Sequence, residues 1–109
     1  MDLQKLQLPA FLRITRPSMM IPRIGHTEQT SNEQKLIYQK WHLPEIGFYW
    51  LVAEIDPESN LAYGYANLND NQCAEWGYFS LKELENTGAK LDLDWSPQIF
   101  QTIEAALAN

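Results

Sequence analysis

Trp76-Gly-Tyr-Phe-Ser-Leu-Lys-Glu-Leu-Glu85 reads as an aromatic strand that turns directly into a helix. Ser80 is a natural N-cap, because its hydroxyl can accept a hydrogen bond from a free backbone N–H of the first helical turn. Glu83 is placed to reach back to the Ser80 N–H and complete a capping box. Asn86 and Gly88 are stop signals, so the helix from Leu81 is short.

Upstream of this run the chain alternates strands and turns. Leu36 to Leu43 is strand-like, with Ile37, Trp41 and Leu43 on one face. Pro44 to Gly47 is a turn. Phe48 to Ile55 is nearly all apolar, as in a strand buried on both faces. After the Asp56–Asn60 turn, Leu61 to Leu68 sets Leu61, Tyr63 and Tyr65 against Ala62, Gly64 and Ala66. The small-residue face is a seat for a helix. Asn69 to Gln72 is another turn, and Ala74 to Phe79 is the fourth strand. Short polar turns between four strands predict an antiparallel meander.

Downstream, Ser96-Pro97 predicts a second helix, with proline at the first helical position. Ile99, Phe100, Ile103, Ala106 and Leu107 recur at helical spacing and form its packing stripe. The expected fold is therefore α+β: a four-stranded antiparallel meander, a short capped helix and a C-terminal amphipathic helix packed on the sheet.

Residues 1–34 are less regular. Leu3, Leu6 and Leu8 form an apolar strip cut by Pro9, and Phe11, Leu12 and Ile14 resemble a short extended piece. Residues 16–34 read as a long loop, a kind of segment that is usually functional or mobile. Met19, Met20 and Ile21 are expected to pin it to the body.

The 109 residues, 45% of them hydrophobic, suit one globular domain able to bury a core. Cys73 is the single cysteine, so no internal disulfide can form. The N-terminus has no signal-peptide pattern and no segment is apolar enough to span a bilayer, so the expectation is a soluble cytoplasmic protein. Residues 1–24 carry a net charge of +3 and residues 25–109 carry −9. So acidic a body repels phosphate backbones and argues against direct nucleic-acid binding. The basic segment balances it within the chain or meets a partner.

The block Glu75, Gly77-Tyr-Phe-Ser-Leu81 and Glu83-Leu-Glu85 resembles the signature of a bacterial family, domain of unknown function 2958. Lys40 to Pro44, Tyr49-Trp50 with Glu54, and Gly64-Tyr65 resemble segments upstream of that signature. The likeness covers about residues 36–88. Beyond Gly88 the sequence Lys90-Leu-Asp-Leu-Asp94 replaces the family's Glu-Arg-Asp segment and lacks the arginine. The resemblance implies a small α+β domain often found on plasmids and other mobile elements. It implies no established activity.

Few residues suggest chemistry. His26, His42 and Cys73 fit no compact zinc spacing, and a Cys73–His42 nucleophilic pair would lack local activation. Asp92-Leu-Asp94 has the form of a two-carboxylate cation motif, or of a plain extended segment with its acids in water. No sequence pattern calls for a cofactor.

Glu54 ends an apolar strand and Glu75 precedes the aromatic block. Sharing a cleft, they would form an acid–base pair with split pKa values; otherwise they meet solvent, Lys40 or Lys82. Trp41, Trp50, Tyr63, Tyr65, Trp76 and Tyr78 build the core or a binding surface. The leading expectation is a non-enzymatic interaction or accessory protein that binds another protein through exposed aromatics and the 16–34 loop. A symmetric dimer through an exposed strand edge is a further expectation. The alternative is a small ligand-binding or hydrolytic domain with a pocket of Trp50, Glu54, Glu75 and Tyr78.

Overall fold

Leu36 to Leu43 forms two strands, not one. The computed structural model describes residues 20–107, and within them β1 (Leu36–Ile37) is separated from β2 (Gln39–Leu43) at Tyr38. The break corrects the expected single face. Ile37 packs beneath Leu51, Ala53 and Phe100, whereas Trp41 and Leu43 lie on the opposite side of the sheet with Trp50 and Val52.

From β2 onward the meander is as expected. β3 (Phe48–Asp56), β4 (Leu61–Leu68) and β5 (Glu75–Ser80) follow in chain order, each antiparallel to its predecessor. The apolar run of β3 is buried on both faces because each face carries a core cluster.

Ala62 and Ala66 leave room on one face of β4 for α1 (Leu81–Asn86), whose Leu81 and Leu84 join Trp41, Trp50 and Val52. The Ser80 hydroxyl accepts from the Glu83 N–H at 3.2 Å. Only half of the expected capping box forms, because among the described residues the Glu83 carboxylate makes no return bond. Gly88, at φ +95°, ends the helix. The Gly88 N–H donates to the Glu85 carbonyl at 3.1 Å and the Ala89 N–H to Leu84 at 3.0 Å, which is the Schellman pairing.

β6 (Lys90–Leu91) then adds a fifth strand beside β2, giving the sheet order β5-β4-β3-β2-β6. The C-terminal helix starts later than Pro97 suggests. Gln98–Ile99 forms β7, which pairs with β1 in a separate two-stranded ribbon. The Phe100 N–H donates to the Lys35 carbonyl at 2.9 Å, and α2 (Phe100–Leu107) begins there. Phe100 and Ile103 are buried on the aromatic face, but Ile99 and Leu107 are exposed, so the stripe is narrower than its spacing implied.

Two further details position the site. A bulge in β3 between Val52 and Glu54 shifts the pairing with β4, so that Glu54 lies opposite Tyr63. A side chain at Gly64 is impossible here, since its Cβ would sit 1.7 Å from the Leu51 carbonyl oxygen.

The loop before β1 is tied down by Ile21, which is buried, and by a 2.9 Å bond from the Ile55 N–H to the Pro22 carbonyl. Met20 is 77% exposed and pins nothing. Met19, the Leu3–Leu8 strip and the piece around Phe11 lie outside the described residues. No helix among the described residues is long and apolar enough to cross a membrane.

Candidate functional site

The β3 bulge turns Glu54 toward the 20–34 loop, and the loop closes over it. Glu54 is 3% exposed. Its Oε1 accepts from the Gly25 N–H at 2.8 Å, and its Oε2 accepts from the Thr27 N–H at 3.2 Å and from the Thr27 hydroxyl. Lys35, equally buried, places its ammonium 3.7 Å from Oε2. That ammonium donates to the Thr27 carbonyl and, at 2.7 Å, to Thr27 Oγ1. The Thr27 hydroxyl thus accepts from Lys35 while donating to Glu54.

Burial pushes the Glu54 carboxyl up, but the Thr27 hydroxyl, the Gly25 and Thr27 N–H groups and the Lys35 charge together hold it below its ordinary pKa. Hydrogen bonds to the ionised form win over desolvation. A carboxylate so held stays ionised and has its lone pairs occupied, which makes it a poor proton donor and a poor base.

Beside this buried pair lies a cleft of about 420 Å³, walled by Gly25, Glu28, Thr30, Ser31 and Asn32 of the loop and by Tyr63 and Tyr78 of the sheet. The Tyr63 hydroxyl bonds Asn32 Oδ1 at 3.3 Å, joining the walls. Tyr63 and Tyr78 are cross-strand partners with ring centroids 5.2 Å apart. The aromatic row continues to Trp76, 5.6 Å from Tyr63, and on to Phe100, 4.9 Å from Trp76. Tyr78, at the outer end of the row, is 62% exposed.

Of the four residues expected to share a pocket, the structure brings together Glu54 and Tyr78 alone. Trp50 is buried on the opposite face, edge-on to Phe48 at 6.2 Å. Glu75 is exposed and pairs with Ala66, which packs on that opposite face. The two carboxylates therefore do not converge. Gly25, Thr27 and Lys35 were missed by sequence reasoning. The one available signal was an acid at the end of an otherwise apolar strand, which needs a buried counter-charge.

Asp92 and Asp94 form a turn, in which Asp92 Oδ1 accepts from the Asp94 N–H at 3.0 Å. His42, on β2, and Cys73, in the turn after β4, are separated by β3. Among the described residues no three His, Cys, Asp or Glu side chains group closely enough to hold a metal. A second recess of about 240 Å³, more apolar, lies between α2 and the β2–β3 pair, with Lys40 at its rim.

A family model described as "protein of unknown function (DUF2958)" matches residues 12–105. No curated protein and no solved structure matches the chain.

Proposed function

The chain belongs to the DUF2958 family, which assigns no chemistry, and from its geometry we propose a non-enzymatic interaction protein that docks a basic protein surface. The docking face comprises Tyr78 and the cleft beside it. The observation that carries this reading is Tyr78. A large aromatic side chain stands 62% exposed beside a polar cleft whose loop wall is locked from beneath by Glu54 and Lys35.

Rigid aromatic anchors next to adaptable polar groups are the usual makings of a protein interface. The charge selects the partner. Residues 25–109 carry −9, and Glu28 is an exposed acid in the cleft wall. A lysine or arginine of the partner would set its cation over the Tyr78 ring and against Glu28. A surface of that kind is one that otherwise meets nucleic acid, so docking would mask it. An accessory role on mobile DNA, which the family resemblance suggested, is compatible with such masking.

The test uses the full chain as bait, wild type beside Tyr78→Ala and Glu28→Gln. The expected catch is a basic protein that competing nucleic acid displaces and that both variants lose. A catch unchanged by both substitutions would sink the reading.

A further inference from the structure

Among the described residues β5 is a terminal strand of the sheet and lacks the protection that such edges usually carry. Lysine, proline, bulges or brevity commonly guard an edge. β6, at the other end, is two residues long, begins with Lys90 and runs into the Asp92–Trp95 turn. β5 has six residues in unbroken register with β4, no proline, and a single charge at its first residue.

The direction of its backbone groups follows from the ladder. The Leu81 N–H donates to the Asn60 carbonyl at 2.9 Å, one step beyond the Leu61–Ser80 pair. By the alternation of antiparallel pairing, Phe79, Gly77 and Glu75 turn their N–H and C=O groups toward β4. Tyr78 and Trp76 turn theirs outward, as Ser80 does its N–H, while the Ser80 carbonyl, at the N-cap, accepts the first bond of α1. Among the described residues no other strand pairs with that edge.

We infer that this edge pairs with β5 of a second copy, antiparallel, about a two-fold axis at Tyr78. Positions 76, 78 and 80 are symmetric about that residue, so Tyr78 faces Tyr78 of the other copy and Trp76 faces its Ser80. Three observations fit a second copy. Gly77 faces Phe79 of that copy, and nothing lies within 4 Å of where a Gly77 Cβ would stand, which leaves space for the ring. The aromatic row that ends at the exposed Tyr78 is continued by its twin. Glu75, the one charge of the strand, falls opposite Leu81 at the start of α1 of the other copy, next in sequence to Lys82, so the register sets no like charges together. An isologous contact of this kind closes on itself and covers both open edges. It does not depend on the docking of a basic partner.

Sedimentation equilibrium of the full chain, with amide hydrogen exchange at low and high concentration, tests this. The expected mass rises from one chain to two. The Tyr78 and Ser80 amides become protected only in the dimer, while Gly77 and Phe79 are protected in both forms. Tyr78→Pro removes an outward N–H that β4 does not use, a place where an edge strand tolerates proline, and it should abolish the dimer. If that variant does not fold, Tyr78→Lys, which sets like charges together at the two-fold, should do the same. A chain that stays monomeric at all concentrations overturns the inference. So does a dimer protected elsewhere, or one that survives the folded substitution.

Discussion

Glu54 and Lys35 stand 3.7 Å apart with both side chains about 4% exposed, and both are bonded to Thr27 of the loop that covers them. The pair is therefore a clasp between β3 and the loop. Removing one partner strands a buried charge, which typically costs about 3–5 kcal/mol. Glu54→Ala and Lys35→Met should each destabilise the protein by that order in urea unfolding. The double change Glu54→Leu with Lys35→Met should recover only part of the loss: it leaves no buried charge unpaired, but the Gly25 and Thr27 groups lose their hydrogen-bond partners.

Acid should open the same clasp. The folded-state pKa of Glu54 lies below its ordinary value, so the unfolded chain binds the proton more readily. The stability that this group contributes is complete above the ordinary glutamate pKa of ~4.3. It is lost as pH falls from there through the folded-state value. Thermal melts across that window should show a steeper acid loss in the wild type than in Glu54→Gln.

Gly64 and Gly77 are direct cross-strand partners with opposite tolerances. A Cβ at 64 would meet the Leu51 carbonyl at 1.7 Å, whereas one at 77 meets nothing within 4 Å. Backbone cannot yield as a side chain can, so Gly64→Ala should cost about 3 kcal/mol or more. Gly77→Ala should be neutral or slightly stabilising to the folded chain, since glycine weakens a strand interior. Paired urea titrations measure both.

The contrast shows where sequence was informative. The strands of the meander, the Ser80 cap and the Gly88 stop were legible because alternation and turn chemistry are local signals. The break at Tyr38 was not, because Leu36–Leu43 alternates plausibly as one strand, and only pairing with Gln98–Ile99 pulls Ile37 to the other face. That same pairing holds Gln98 and Ile99 extended, which overrides the helix start that Pro97 suggested. The clasp was illegible for a like reason: Glu54 meets partners 27 and 29 residues away. The bulge between Val52 and Glu54 shifts the register by one and so puts Glu54 on the face of Tyr63 and Tyr78, opposite Glu75, a shift that no local pattern reveals.

The helix that follows β5 offers a sharper check on local rules. Ser80 caps through its hydroxyl, while Glu83 contributes its backbone N–H but no side-chain bond among the described residues. Ser80→Ala should therefore cost about 1 kcal/mol, and Glu83→Ala, which removes the side chain a full box would need, much less. Gly88→Ala, at φ +95°, should cost about 1 kcal/mol through left-handed strain alone. Chemical denaturation of the three variants separates a lone cap from a full capping box, in which Glu83 would matter as well.

Tyr78 should separate binding from folding. Its ring is mostly exposed and its main packing partner is Tyr63, and cross-strand pairs of this kind are worth about 0.2–1 kcal/mol. Tyr78→Ala should leave the melting temperature of the single chain, at concentrations where it is monomeric, close to wild type. If the cleft takes a cation between Tyr78 and Glu28, the same change should weaken binding of a basic partner at least tenfold, with a smaller loss for Glu28→Gln. The two losses should differ in their response to salt. Charge pairing is screened over about 10 Å at 0.1 M ionic strength, so the contribution of Glu28 should fade as salt rises. The contact with the tyrosine ring buries apolar area as well and should fade less. Titration calorimetry with an arginine-rich peptide at low and high salt reads both. Equal salt dependence of the two losses would mean that Tyr78 acts only by shaping the acidic wall.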